Sequence, residues 1–243
     1  MYRLLHRVFG FAVQLGQRLD NPLDRVPVPR YSPARRKPWS PEEASRFPGA
    51  ARSHPLGPLF WLLATSGLRI SEALALTWAD VDLVRGTVTV RRTVHRVRGQ
   101  WVYSPPKTRA GARTVSLPRE VTEHLRRARL AAVQKALAGG VGFSDEKLVF
   151  SRDGTTPLHR RHVLRIMRSL CTRAGVPHVG LHSLRHLHAS SLLACGVSLP
   201  EVSARLGHAN THVTAQVYAH VLSRDDRRLA ELAAEALGLT RPL

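Results

Sequence analysis

The sequence predicts an α+β fold, mainly helical, that carries a small antiparallel sheet of about three strands. Apolar residues recur at helical spacing through most of the 243 positions. Between Thr87 and Leu117 the period shortens to two: Thr87-Val88-Thr89-Val90 alternates, and so does Thr93-Val94-His95-Arg96-Val97. The turn residues Arg98-Gly99-Gln100 then lead into Trp101-Val102-Tyr103. A chain of this length holds one large domain or two small ones, and either can enclose a core.

The elements follow in order. Leu4, Leu5, Val8, Ala12, Leu15 and Leu19 fall on one helical face, so the chain opens with an amphipathic helix that ends near Asp20-Asn21-Pro22. This start has the basic, apolar character of a targeting peptide, but His6 and Arg7 interrupt its apolar run and no small-x-small cleavage site follows. A linker dense in Pro and Arg (Pro27, Pro29, Arg30, Pro33, Arg35, Arg36) runs to about Lys37; proline extends it, and its charges suit a phosphate backbone. One helix cannot fold alone, so the segment before the linker reads either as the tail of a larger domain or as a helix docked on the main one. That domain begins at Ser40-Pro41-Glu42-Glu43, a capping box with Pro at the first helical position. An apolar stretch from Leu59 to Ala64 ends at Gly67, and a helix from Arg69 to Leu76 turns Ile70, Ala73 and Leu74 inward. The strands follow, the last spanning Arg113 to Leu117. Helices are expected at 119–138, 159–174, 183–194, 199–206, 211–220 and 224–238, with a short strand at Leu148-Val149-Phe150. No internal repeat or low-complexity stretch appears.

Charge narrows the partners. Lys and Arg number 37 against 17 acidic residues, a formal net charge of +20. Such an excess repels itself in a compact state unless a polyanion is near, which points to nucleic acid. An anionic membrane is a weaker candidate, and no run of roughly 18 apolar residues points to a membrane span. Two cysteines, Cys171 and Cys195, suggest neither a disulfide framework nor a zinc site, and imply a reducing compartment.

Several polar residues stand out. Arg69 has Glu72 three positions on, on the same helical face, an arrangement that holds a guanidinium in one rotamer for bidentate phosphate recognition. Alone, the pair reads as a surface ion pair worth under about 1 kcal/mol. Lys107 lies between Pro105-Pro106 and Thr108-Arg109, at a tip joining two strands, from which an ammonium can reach into a groove. His182, Arg185 and His186 share one face of a helix. No carboxylate or thiolate accompanies them in that helix, and an arginine among ligands would repel a cation, so phosphate fits them better than zinc. His208 closes Leu206-Gly207-His208, and Tyr218 follows ten residues later. Each has an ordinary reading by itself. Together, in this order, they form a cationic set ending in a phenol, which can hold a phosphodiester and attack it.

In that order the residues resemble the tyrosine recombinases, or phage-type integrases. The family pattern is an Arg within Gly-x-Arg-x-x-Glu, a hairpin Lys, His-x-x-Arg-His, Leu-Gly-His, and a Tyr nine or ten residues later. This sequence supplies Gly67-Leu68-Arg69-Ile70-Ser71-Glu72, Lys107, His182-Ser183-Leu184-Arg185-His186, Leu206-Gly207-His208 and Tyr218-Ala219-His220. The resemblance covers residues 40–240 and implies a tyrosine-recombinase-type catalytic domain over 40–243. It implies that Arg69 and Arg185 clamp the scissile phosphate and that Tyr218 attacks it to give a 3′-phosphotyrosine. His182 would help remove the phenolic proton, Lys107 would protonate the departing 5′-oxygen, His208 would hydrogen-bond the phosphate, and Glu72 would support the first arginine. No metal, cofactor or ATP is implied. Double-stranded DNA is the implied partner, bound by a homo-tetramer in the cytoplasm at the nucleoid, with accessory DNA-bending or directionality proteins.

One departure accompanies the resemblance. Members of the family carry a helical core-binding domain before the catalytic one, and here residues 1–20 correspond only to its last helix, with 21–39 as linker; DNA binding and site choice are therefore expected to be impaired. The final helix, with Leu229, Leu232, Ala233, Ala236 and Leu237 apolar, is expected to dock on its own domain or on a neighbouring protomer. Two other readings remain open. Type IB topoisomerases share the Arg-Lys-Arg-His-Tyr set, and residues 199–220 alone resemble a helix-turn-helix DNA-binding motif.

Overall fold

The computed structural model describes residues 1–28, 39–211 and 215, and the chain divides into two compact units, Met1–Lys37 and Pro38–Leu243. The first unit holds helix α1 (Tyr2–Gln14) and a 3-10 turn, Pro22–Arg25. Asn21 joins them: its Nδ2 donates to the His6 carbonyl at 3.0 Å and its Oδ1 accepts from Leu23 N at 3.1 Å. Tyr2 Oη donates to the Leu23 carbonyl at 2.9 Å. No residue of α1 is buried, and Leu4, Val8, Phe11 and Leu15 are exposed. Of the expected linker, residues 29–38 lie outside the described residues.

The second unit is built around one short, predominantly apolar helix. Helix α2 (Pro41–Arg52) opens with the expected capping box: Ser40 Oγ accepts from Glu43 N, and Glu43 Oε2 accepts from Ser40 N at 2.8 Å. Helix α3 (Gly57–Ser66) carries Leu59, Phe60, Leu62 and Leu63, all fully or almost fully buried. A helix apolar on every side belongs in the centre of a core. It packs there against α2, α5 (Arg119–Ala138) and α7 (Leu181–Ala194). Helix α6 (Arg160–Ala174) covers α2, burying Val163, Met167, Leu170 and Cys171. Trp39 Nε1 donates to the Pro177 carbonyl at 2.8 Å and fastens the start of α2 to the α6–α7 connection. Helix α8 (Leu199–Leu206) forms a smaller apolar cluster with α7 through Ala189, Leu193, Val202 and Leu206.

The strands form two sheets rather than one. Strands β1 (Val81–Asp82), β2 (Thr87–Val90) and β5 (Arg113–Ser116) make an antiparallel sheet in the order β1-β2-β5, with Val88 opposite Val115. Strands β3 (Thr93–Val97) and β4 (Gln100–Ser104) form a separate hairpin. Its two-residue turn places Arg98 at φ 49 and Gly99 at φ 85, the double positive φ that matches strand twist in a tight hairpin. The break between β2 and β3 has a visible cause: Arg92 leaves the alternation so that its Nη2 can donate to the buried Asp80 carboxylate at 2.9 Å and to Thr77 Oγ1 at 3.0 Å.

Helices α5 and α8 span the expected residues, and α6 and α7 differ by one or two at their starts. The strand expected at 148–150 is instead an irregular segment holding one isolated bridge, Thr77 to Leu148; Val149 N donates to the Leu76 carbonyl and Leu148 N to that of Gly154. The helix expected from Arg69 to Leu76 is shorter, α4 (Ile70–Ala73), with Arg69 as its N-cap. The helices expected at 211–220 and 224–238 lie outside the described residues except for Thr211 and Ala215, both helical. Among the described residues, no helix is long and apolar enough to cross a membrane.

Candidate active site

The site begins where α3 stops. Gly67 ends that helix at φ 66, in the left-handed region, and a Cβ there would lie 2.7 Å from both His188 Cδ2 and Leu206 Cδ2. The turn delivers Arg69 to the start of α4, where its backbone N donates to Glu72 Oε2 at 2.8 Å and its Nη1 to Glu72 Oε1 at 2.8 Å. Glu72 is 1% exposed. Burial alone would raise its pKa; the Arg113 guanidinium and its hydrogen bonds, with those from Arg69, overcome that and hold it below the usual carboxylate value. Arg113 donates from Nη2 to Glu72 Oε2 at 3.1 Å and from Nη1 to Oε1 at 3.4 Å. The predicted Arg69–Glu72 pair is thus no surface ion pair but half of an Arg–Glu–Arg cluster in which Glu72 and Arg113 are buried and Arg69 opens to the surface.

Helix α7 brings the next group. His182, Arg185 and His186 lie at i, i+3 and i+4, and the rings of His182 and His186 meet edge-on, 4.6 Å between centroids. Arg185 is 2% exposed; Nη1 donates to the Gly67 carbonyl at 2.6 Å and Nη2 to that of Leu206 at 2.8 Å. It therefore ties the ends of α3 and α8 together from within. Gly207, at φ 68, ends α8 and presents His208. Lys107, exposed, lies on the loop from β4 to the 3-10 turn Arg109–Gly111 that leads into β5. The strands on its two sides belong to different sheets, so Lys107 sits on a crossing loop and not at the tip of a hairpin.

These pieces converge. Arg69, Glu72, Lys107 and His208, with Ser71 and His95, line one open cavity of about 400 Å³. A second cavity, about 300 Å³, shares Arg69, Ser71 and His95 and extends to His182 and Arg160. His182 and His208 both have pKa values lowered to about 4. Loss of hydration is the largest cause for each; His186, Arg185, Arg69 and Arg160 add to it at His182, and Arg185, Arg69, Arg113 and His182 at His208. Both imidazoles are therefore neutral at pH 7, able to donate from one nitrogen and accept at the other. Arg185 and His186 line neither cavity. A pocket walled by the guanidinium of Arg69, held by Glu72, with an ammonium and neutral imidazoles suits a single anionic group such as a phosphodiester. Among the described residues, no group of three or more His, Cys, Asp or Glu is arranged to hold a metal ion. Six of the seven predicted site residues are thus described; Tyr218 lies outside the described residues.

The phage integrase family profile matches residues 43–224, three quarters of the chain. The chain belongs to this family. Among curated relatives, the integrase-family chain is 31% identical to a XerC-like tyrosine recombinase of Caldanaerobacter subterraneus subsp. tengcongensis, over 93% of its own length and 63% of the relative's. It is 28% identical to the ICEBs1 integrase of Bacillus subtilis, over 93% of its length and 62% of that protein's. It therefore spans less than two thirds of each. Its fold matches that of the Tn1549 transposon integrase, solved in complex with transposon right end DNA, at a TM-score of 0.75 and 24% identity, covering 97% of this chain and 78% of the other. The resemblance read from the motifs is thereby borne out, as is the mainly helical α+β fold.

Three residues around the site escaped the sequence reading: Arg113, His188 and Arg205. Arg205 runs behind the pocket, its Nη2 donating to the carbonyls of Thr65 and Ser116, both at 3.0 Å, and its Nε to His188 Nε2 at 3.0 Å. His188 must then be neutral at that nitrogen; burial first, then Arg205, lowers its pKa to about 4. A signal existed for Arg113 alone. It shares a strand face with Val115, which is buried, so a charge at that position requires a partner within the protein.

Proposed function

We propose that this integrase-family chain cleaves and rejoins DNA strands through a covalent phosphotyrosine intermediate, in the site-specific movement of a mobile element. The reading rests on one observation: Arg69, Glu72, Lys107 and His208, far apart in sequence, wall a single cavity that adjoins His182. In the reaction, Arg69 and Arg185 hold the non-bridging oxygens and neutralise the charge that grows in the pentacoordinate transition state. Tyr218 Oη forms a bond to phosphorus in line with the departing 5′-oxygen, whose bond to phosphorus breaks. The phenolic proton passes to His182, which is neutral and free to accept it at pH 7. With its pKa lowered to about 4 it is a weak base alone; the bound phosphate supplies the negative charge that raises it. Lys107 gives a proton to the 5′-oxygen, and His208 hydrogen-bonds the phosphate. Attack by another strand's 5′-hydroxyl reverses each step, and because the phosphotyrosine bond conserves the linkage energy, no ATP is consumed.

Double-stranded DNA is the partner in this reading, engaged by a homo-tetramer with accessory DNA-bending proteins; size-exclusion chromatography with light scattering on attachment-site DNA measures that stoichiometry. The chemistry is tested with nicked duplexes made from the flanking genomic attachment sequences. Wild type is expected to give a protein–DNA species that survives denaturation, Arg185→Ala to bind but cleave on the order of 10²-fold less, and Tyr218→Phe to bind without forming the species. A covalent species persisting in Tyr218→Phe assigns the nucleophile elsewhere, and relaxation of supercoiled plasmid without site preference would favour a topoisomerase.

A further inference from the structure

The second guanidinium on Glu72 has no part in the reaction as proposed, yet its contacts reach the three segments that carry Arg69, Lys107 and His208. Arg113 opens β5, and its side chain is 8% exposed. Its terminal nitrogens hold both carboxylate oxygens of Glu72, at 3.1 and 3.4 Å. Nη1 also donates to the Gly111 carbonyl at 3.0 Å, and Nε donates to the Arg205 carbonyl at 2.8 Å. Glu72 belongs to α4, which carries Arg69; Gly111 closes the loop that carries Lys107; Arg205 lies three residues before His208. The backbone beneath His208 rests directly on this side chain, since a Cβ at Gly207 would stand 2.8 Å from the Ala110 carbonyl oxygen and 2.9 Å from Arg113 Nη1.

We infer that Arg113 is a positioning residue for strand cleavage: it fixes the Lys107 loop and the His208 turn against the Arg69–Glu72 pair. The inference rests on the strand-cleavage reading of this pocket. Its physical basis is the shape of the guanidinium, whose planar fork serves a carboxylate and two carbonyls in different directions at once. A lysine at 113 keeps the positive charge near Glu72 but cannot bond all four acceptors with one ammonium. The loop and the turn then lose their common anchor while the charge balance of the cluster is kept. Lys107 feels this most, because its loop has the Gly111 carbonyl as its link to the cluster and the lysine itself is exposed.

The test separates positioning from simple stability by changing the leaving group. Nicked duplexes are prepared with an ordinary 5′-oxygen or with a bridging 5′-sulfur at the scissile linkage. A thiolate departs without receiving a proton, so a displaced Lys107 matters only for the oxygen substrate. Arg113→Lys is expected to bind DNA as wild type does, to cleave the oxygen substrate about 10²-fold more slowly, and to cleave the sulfur substrate within about 10-fold of wild type. Equal slowing on both substrates, or none on either, overturns the inference. Should Arg113→Lys not fold, Arg113→Met combined with Glu72→Gln removes both buried charges together and is compared with Glu72→Gln alone. The oxygen-to-sulfur gap must widen when Arg113→Met is added, and an unchanged gap overturns the inference equally. If wild type itself gives no covalent species on either substrate, the strand-cleavage reading fails instead.

Discussion

Glu72 shows how a residue's surroundings change what its sequence neighbours suggest. Spacing revealed its pairing with Arg69, because residues three apart on a helix face each other whatever the fold. Spacing could not reveal Arg113, 41 positions away in sequence, nor that Glu72 would be 1% exposed between two guanidiniums. Burial changes the magnitude at stake from under about 1 kcal/mol for an exposed pair to several for a buried one. Glu72→Ala leaves Arg113, 8% exposed, without its carboxylate, and we expect a loss of roughly 3–5 kcal/mol in urea denaturation. A loss below about 1 kcal/mol would mean that the cluster is hydrated and contributes as a surface pair does. Arg69 should suffer as well: with Glu72 gone its side chain has one fewer restraint, so the surviving protein should bind DNA but cleave slowly.

At the scale of elements, helix ends were readable and sheet partners were not. Ser40 with Glu43, and Gly67 and Gly207 after their apolar runs, mark boundaries through local chemistry, and the structure places caps at each. Strand pairing depends instead on tertiary choices. Residues 87–90 and 93–97 alternate equally well, yet they lie in different sheets, and the two residues between them, Arg91 and Arg92, turn to the buried Asp80 carboxylate. That division turns the Lys107 segment into a crossing loop whose position is set by what it touches. Gly207 is one such contact. Gly207→Ala meets the Ala110 carbonyl oxygen at 2.8 Å, a backbone atom that cannot rotate aside, at a φ of 68 that side chains disfavour. The strain, about 1–3 kcal/mol, should be relieved by moving α8's end away from the loop. The expected result is a stable protein with at least about 10-fold slower cleavage. Cleavage at the wild-type rate, with stability lowered by that amount, would show that the turn yields without disturbing Lys107.

For the whole molecule, the excess of 37 basic over 17 acidic residues was plain from composition, and it has two measurable consequences. DNA binding should weaken steeply as salt rises, by about 0.9 decade per decade of salt for each phosphate neutralised. A flat dependence between low and physiological salt would remove nucleic acid as the partner. The second consequence concerns acid. His182, His188 and His208 each have a folded pKa of about 4 against an ordinary value of 6.5, because loss of hydration and adjacent arginines disfavour their charged forms. A depressed histidine pKa means that the unfolded chain takes up the proton first. Stability is therefore complete above about pH 6.5, falls between 6.5 and 4, and for these groups levels off below 4. His188, 8% exposed, gives the cleanest measure, at most about 3 kcal/mol across that window. Its Nε2 accepts from Arg205, and the protonated ring loses that acceptor just as a second positive charge appears beside the guanidinium. His188→Gln keeps an acceptor and removes the titration. In urea melts at pH 7 and pH 4.5 the variant should lose visibly less stability than wild type over the interval. Identical losses would show that His188 is not held neutral by its burial against Arg205.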